Sequence, residues 1–165
     1  QQHLQDRPPQ EPQPSHQLWN ITQHQWNAIP APATGRSATW GLRSHGLACI
    51  DPSEGALVAD GEGVGSVVII HDPWRPVPAI GGHLGTNPGP AERTAVDQRS
   101  DVATFTTTPL VDELLLSGQP HLLLDAEADH PGFDLCISLS RLPAEDNSVE
   151  QLSTGVVRVL SLIHI

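Results

Sequence analysis

Acidic side chains recur at every second position late in the chain, at Asp125, Glu127 and Asp129, and Asp134 follows shortly after. Alternate residues of a β-strand point to the same face, so the first three carboxylates would share one face of an extended segment. Carboxylates, joined by backbone carbonyls from residues 131–132, are the ligands that calcium requires. Like charges two residues apart are equally compatible with an exposed strand in screened water. We favour this solvated face over calcium and keep the metal site as the alternative.

The sequence lacks the motifs of nucleophilic or metal-dependent catalysis. A serine nucleophile elbow requires G-x-S-x-G between a buried strand and a helix, and the nearest match, GRSAT at residues 35–39, has threonine in place of the second glycine. None of the nine histidines stands at H-E-x-x-H spacing, and Cys49 and Cys136 form no C-x-x-C pair. We therefore assign no catalytic residue, no cofactor and no metal, and predict two reduced thiols.

Length and charge restrict the class of protein. The chain has 165 residues, which suits one domain with a single core. Eight basic residues, all arginine, oppose 19 acidic ones and leave a net charge of -11, which repels the phosphates of nucleic acid. No apolar run approaches the roughly 20 residues needed to cross a bilayer, and no signal segment opens the chain. We expect a soluble protein, with the cytoplasm favoured, and neither nucleic acid nor membrane as partner.

The elements that must position these residues are short strands. Apolar and polar residues alternate or cluster in short runs separated by Gly, Pro and Asp, with no helical period. We predict one strand or a hairpin at residues 39–50, with 57–59 pairing back. Further strands are predicted at 66–71 (buried), 102–108, 114–117, 121–129, 133–140 and 155–159. The strands at 121–129 and 133–140 are expected to be neighbours. This pattern predicts an all-β fold, a β-sandwich.

A long loop dense in Pro and Gly organises the sequence between residues 71 and 110. Pro73, Pro76 and Pro78 each fix φ, whereas Gly81 and Gly82 permit positive φ. A long connection in a compact domain is usually either functional or disordered. We expect an ordered loop, because the segment 97–99 (Asp-Gln-Arg) supplies charges and an amide that can hold it.

Three segments carry a family resemblance: DPWRPVPAIGG at 72–82, DQRSDVATFTTTPL at 97–110, and SGQPHLLLDAEADHPGFDLCISLSRL at 117–142. Over residues 19–159 the chain resembles the C-terminal domain of X-Pro dipeptidyl-peptidases and cocaine-esterase-type serine hydrolases. The sequence departs from the family pattern at Thr107 and Thr108, where the family has Ser-Glu. The resemblance implies a galactose-binding-like jelly-roll sandwich, incomplete at its C-terminus.

The same resemblance implies a non-catalytic domain that packs on an α/β-hydrolase domain and helps to shape its pocket. That hydrolase domain, which in the family holds the catalytic triad, is the expected partner and is missing from this chain. The candidate loop and domain-interface positions are Asp72, Trp74, Gly81, Gly82, His83, Asp97 and Arg99. A stand-alone carbohydrate-binding jelly-roll module is the alternative, and it needs a solvent-facing ring such as Trp74.

The ends of the chain differ in composition from its middle. Residues 1–18 are rich in Gln and Pro and are predicted to form a disordered linker. Residues 19–159 form the expected partial sandwich, beginning with an anchoring segment that carries Trp19 and Trp26. The tail 160–165 (LSLIHI) matches the translation of a transposon end used in sequencing libraries, and we expect it to be non-native.

Overall fold

The computed structural model describes residues 16–28, 37–82, 87–143 and 148–160. Most of the predicted linker, His83 and nearly all of the predicted tail lie outside these ranges. The chain divides into two units, Gln1–Ser37 and Ala38–Ile165. Each unit is described by itself.

The first unit contains an antiparallel hairpin of β1 (Gln17–Asn20) and β2 (Gln25–Ala28). The spacing of seven that separates Trp19 from Trp26 arises because the two residues face each other across the strands, with ring centroids 5.6 Å apart in an edge-to-face arrangement. Such cross-strand aromatic pairs stabilise isolated hairpins. The Asn20 carboxamide oxygen accepts the N–H groups of Thr22 at 3.0 Å and Gln23 at 2.9 Å, which closes the turn.

The second unit begins with the antiparallel pair β3 (Trp40–Arg43) and β4 (Ala56–Ala59). The prediction that residues 57–59 pair back on the strand at Trp40 is confirmed. Between the strands, the Glu54 carboxylate accepts the Ser44 hydroxyl at 2.7 Å and the backbone N–H of His45. These bonds, the Ser44 hydroxyl first, hold the pKa of Glu54 below its ordinary value.

The second sheet has the order β5-β7-β6, formed by β5 (Ala91–Glu92), β6 (Gly132–Arg141) and β7 (Glu150–Leu160), all antiparallel. The predicted strand at 133–140 is confirmed, and the last strand is longer than predicted, since it begins at Glu150. A single helical turn, α1 (Thr94–Asp97), follows β5. It places Arg93 and Asp97 beside the sheet.

Several predicted strands are not formed. Residues 66–71, 114–117 and 121–129 belong to no strand, and the run 66–71, predicted to be buried, is largely exposed. The segment 121–129 is not the neighbour of β6, whose partner is β7. Residues 102–108 lie along β4 through one bridge, Ala56 with Thr106. Backbone hydrogen bonds join Thr104 to Ala48, and Thr106 to Gly55 and Leu57, without extending into a ladder. An alternating pattern selects a face, but a strand also needs a ladder partner for its N–H and C=O groups, and no described residues supply one for 66–71, 114–117 or 121–129.

The core of the described residues is small. The apolar residues buried within them are Ala48, Cys49 and Val96, joined by the buried polar residues Ser44 and Gln151. Burial raises the pKa of the Cys49 thiol. No helix in the described part of the chain has the length and apolarity to span a bilayer. With antiparallel sheets and one helical turn among the described residues, the chain has the all-β architecture predicted for a β-sandwich.

Candidate functional site

The loop predicted to organise the chain presents a tryptophan to solvent. Pro73 follows Asp72, whose carboxylate accepts the backbone N–H of Trp74 at 2.9 Å, and the Asp72 carbonyl accepts the N–H of Arg75 at 3.0 Å. This side-chain turn fixes the backbone on both sides of Trp74. The Trp74 side chain itself is 92% exposed. The sequence therefore builds a rigid turn whose largest side chain contacts little of its own unit.

A second attachment comes from Arg99. Its guanidinium donates to the Arg75 carbonyl at 2.5 Å and forms a two-pronged ion pair with Asp101 at 2.7 and 2.6 Å. Its hydrogen bond with Asp101 raises the pKa of Arg99 and, reciprocally, lowers the pKa of the Asp101 carboxyl. Bidentate geometry is the strongest form of such a pair. Arg99 thereby ties the exposed turn to the segment that precedes residues 102–108.

The base of the loop is held by Gln151 of β7, which is 2% exposed. Its amide nitrogen donates to the Ile80 carbonyl at 2.6 Å, and its amide oxygen accepts the Arg93 guanidinium at 2.8 Å. Arg93 also binds Asp97 at 2.7 Å. The same amide oxygen accepts the Ser138 hydroxyl of β6 at 3.3 Å. A buried amide that satisfies groups on three segments stabilises a single arrangement of the loop.

Gly81 and Gly82 have positive φ angles of 55° and 73°, as the sequence predicts. Gly82 exchanges two backbone hydrogen bonds with Gly89, at 2.9 and 2.8 Å. A Cβ at Gly81 would lie 2.6 Å from the Gly89 oxygen, and one at Gly82 would lie 2.6 Å from the Thr154 hydroxyl. Glycine is therefore required here for close approach as well as for its backbone conformation.

The structure joins most of the candidate loop residues through a few bonds. Asp72 and Trp74 share one turn, which Arg99 ties down, and Asp97 acts through Arg93. His83 lies outside the described residues. Sequence reasoning missed Gln151 and Arg93, because a glutamine at the start of a strand and an arginine before a helical turn carry no signal of their partners.

The four calcium candidates form no common cluster in the structure. Asp125, Glu127 and Asp129 are exposed, whereas Asp134 forms a two-pronged ion pair with Arg158 across β6 and β7 at 2.7 and 2.8 Å. That ion pair lowers the pKa of Asp134. Within the ranges that the structure describes, no three His, Cys, Asp or Glu side chains converge to hold a metal ion.

Calorimetric titration of the chain with calcium is expected to release no heat beyond dilution. Exposed carboxylates on one segment keep their water, and Asp134 already has a cation as partner. An Asp134→Asn variant titrated in parallel serves as the control. Any saturable heat would contradict the prediction, and its loss in Asp134→Asn would assign the ion to Asp134.

A shallow depression of about 350 Å³ lies at the β5 end of the second sheet, lined by Pro90, Glu92, Arg141, Pro143 and Glu150 among others. Arg141 and Glu150 form an ion pair within it. The depression is open and its arginine is already neutralised. The depression therefore lacks a free arginine that could bind a charged substrate. The loop that carries Trp74 remains the stronger candidate for the functional site.

Acid is expected to loosen the Arg99 attachment. The pKa of Asp101 is lowered in the folded chain. The stability that the ionised carboxylate contributes is therefore present above its pKa in the unfolded chain, about 3.9, and is lost as pH falls through the folded pKa. We expect wild type to be more stable than Asp101→Asn at pH 7, with the difference shrinking below about pH 4. Urea unfolding at pH values from 7 to 2.5 measures this difference. A difference that stays constant with pH would contradict it.

These features define an all-β domain whose conspicuous surface element is a tethered, tryptophan-bearing loop. Residues 5–162 match the family model described as the X-Pro dipeptidyl-peptidase C-terminal non-catalytic domain. The chain belongs to this family. No curated protein and no solved structure matches it.

Proposed function

We propose that the chain serves as the non-catalytic β-sandwich domain of a cocaine-esterase-type serine hydrolase, an X-Pro dipeptidyl-peptidase or an ester hydrolase. In this role it packs on an α/β-hydrolase domain and helps to shape the pocket. Membership of a family of non-catalytic C-terminal domains supports the role. The observation that carries the proposal is the exposed Trp74 on a loop with several attachments.

The loop has the properties of an interface anchor. Tryptophan and arginine are enriched among the residues that dominate binding energy, and here Trp74 and Arg75 are adjacent. A side chain held in its bound conformation before binding loses less entropy on association. The turn at Asp72 and the bonds from Arg99 and Gln151 supply that order.

The chemistry of the whole enzyme would be acyl transfer in the other domain. A serine there attacks an ester or a proline-adjacent amide, a histidine takes its proton, and backbone N–H groups stabilise the oxyanion of the tetrahedral intermediate. The contribution of this chain is steric and positional. Its loop would form one wall of the pocket, limiting the acyl groups that fit.

Trp74→Ala is expected to weaken binding to the catalytic domain, supplied as a separate polypeptide, by about thirtyfold, or about 2 kcal/mol, a value typical of an interface anchor. The side chain is 92% exposed, so its removal leaves folding intact. Calorimetry or biolayer interferometry measures the affinity. Ile50→Ala, which removes an apolar side chain that is 74% exposed in a different turn, is the matched control. Equal affinities for wild type and Trp74→Ala would contradict the proposal.

A stand-alone carbohydrate-binding module is the second candidate, and the exposed Trp74 ring favours it, since sugars stack on solvent-facing aromatic rings. A glycan array separates the two functions. Binding that wild type shows and Trp74→Ala loses would support the module. Background signal in both forms rejects it.

A further inference from the structure

The hairpin of the first unit carries two indole rings on one face. Trp19 and Trp26 face each other across the strands, and the pair Gln17 with Ala28 lies next to them on the same face. The two tryptophans are 46% and 65% exposed, although their rings pair edge to face. Exposed aliphatic side chains occur throughout the described residues, whereas this is the one aromatic ring pair among them. The paired rings therefore distinguish this face from the rest of the surface.

The chemistry of this face specifies a ligand. In the part of the chain that the structure describes, neither indole N–H donates to a protein acceptor. Residues 17–28 contain no Asp, Glu, Lys or Arg, so charge does not contribute to recognition. A polyproline II helix offers proline rings and backbone carbonyls that make no internal hydrogen bonds. Aromatic surfaces recognise proline-rich segments through ring packing, and a covered indole N–H finds an acceptor.

The chain supplies such a ligand immediately before the hairpin. Residues 8–14 read PPQEPQP, with four prolines in seven positions, and this composition favours polyproline II. They lie outside the described residues but belong to the same unit as the hairpin, Gln1–Ser37. Two residues separate Pro14 from Gln17, where β1 begins. The connection is therefore short.

The repeat of a polyproline II helix matches that of the hairpin. Two residues span about 6.2 Å along polyproline II and about 6.8 Å along a strand. A chain reversal at residues 15–16 would bring Pro14 over Gln17. Pro12 would then lie over Trp19, one strand repeat further along. The short connection therefore allows one proline to reach each cross-strand pair of the face.

We infer that residues 8–14 dock on the hairpin face that carries Trp19 and Trp26. Proline rings pack on the indoles, and carbonyls of the segment accept the indole N–H groups. The inference does not depend on the proposed function, because it concerns the first unit alone. It gives part of the predicted linker a binding role: any other proline-rich peptide must compete with the chain's own segment for the two rings.

Proton NMR of the 165-residue chain tests the docking directly. Protons above the face of an indole resonate upfield, so the Hδ signals of the docked prolines are expected to be shifted upfield in wild type. In Trp26→Ala these signals are expected to return to random-coil positions. Pro30→Ala/Pro32→Ala changes two prolines that follow the hairpin in sequence and is the matched control, expected to keep the upfield signals.

A second variant separates loss of docking from loss of the hairpin, since Trp26→Ala also removes the ring pair. The four-proline variant, Pro8→Ala/Pro9→Ala/Pro12→Ala/Pro14→Ala, keeps both rings. We expect it to lose the upfield proline signals. Nuclear Overhauser contacts between the rings of Trp19 and Trp26 are expected to persist in it, which shows that the hairpin remains.

Competition with a free peptide gives the size of the effect. A synthetic peptide with the sequence of residues 5–16 is titrated into wild type and the four-proline variant. A segment on a short linker acts at an effective concentration of about 1 mM. Against a peptide Kd of about 0.1 mM, this competition makes wild type bind the peptide about tenfold more weakly than the variant. Salt at about 0.5 M is expected to leave both affinities unchanged, because neither partner relies on charge.

Three results would overturn the inference. The first is a wild-type spectrum without upfield proline signals, or one whose upfield signals survive in the four-proline variant. The second is equal peptide affinity for wild type and that variant. The third is an upfield shift that grows with protein concentration, which would identify the segment of a second copy as the occupant.

Discussion

Replacing Gln151 with leucine is expected to lower the free energy of unfolding by about 3 kcal/mol, because the half-buried Ile80 carbonyl loses its donor and the Arg93 guanidinium loses one of its acceptors. Gln151 is 2% exposed and supplies both the donor for the Ile80 carbonyl and an acceptor for Arg93. Leucine has a similar volume, so packing changes little and the lost hydrogen bonds dominate. Arg93 keeps its bond to Asp97, so the substitution removes only one of the hydrogen bonds of its guanidinium.

Urea unfolding followed by tryptophan fluorescence measures this effect. Gln119→Leu is the matched control, because Gln119 is exposed and the same change there removes no buried bond. Gln151→Glu divides the effect between the two bonds, since a carboxylate still accepts from Arg93 but cannot donate to Ile80. A Gln151→Leu variant as stable as the Gln119→Leu control would contradict the assigned contacts.

The same substitution links stability to function. Ile80 lies at the base of the loop that carries Trp74, so releasing its carbonyl lets the loop sample other conformations. Under the proposed function, Gln151→Leu therefore weakens binding to the catalytic domain although Gln151 is buried. The mechanism is loss of preorganisation.

Local sequence signals predicted the parts of the fold that depend on local chemistry. The hairpin of Trp40 with Ala59 follows from a turn rich in Asp, Pro and Gly, and β6 follows from strict alternation across residues 133–140. The positive φ of Gly81 and Gly82 follows from residue type. Each of these features needs only a few neighbouring residues to specify it.

The features that sequence reasoning missed depend on distant partners. Alternation at 121–129 predicts a strand beside β6, yet β6 pairs with β7, because the pattern specifies a face and leaves the neighbour open. Gln151 contacts Ile80 across 71 positions of sequence. A single sequence contains no information on such a pairing, which only the folded chain reveals.

Gly81→Ala is expected to lower the free energy of unfolding by about 3 kcal/mol, through overpacking of about 2 kcal/mol and a left-handed backbone cost of about 1 kcal/mol. The added Cβ would lie 2.6 Å from the Gly89 oxygen and 2.7 Å from the Ala91 Cβ. Both are backbone-proximal atoms, so relief requires the strand β5 or the loop to move. Gly155→Ala, with nothing within 4 Å and no positive φ, is expected to be neutral.

A double-mutant cycle with Gln151 tests whether the two residues form one unit. The Cβ added at Gly81 would also lie 3.0 Å from the Gln151 amide nitrogen, so it displaces the group that donates to Ile80. Once Gln151→Leu has removed that bond, Gly81→Ala has less left to disrupt. The double variant should therefore lose less stability than the sum of the losses in the two single variants. Strict additivity would mean that the loop base and the β7 amide act independently. A coupling of about 1 kcal/mol would place both in the single attachment that orders the Trp74 loop.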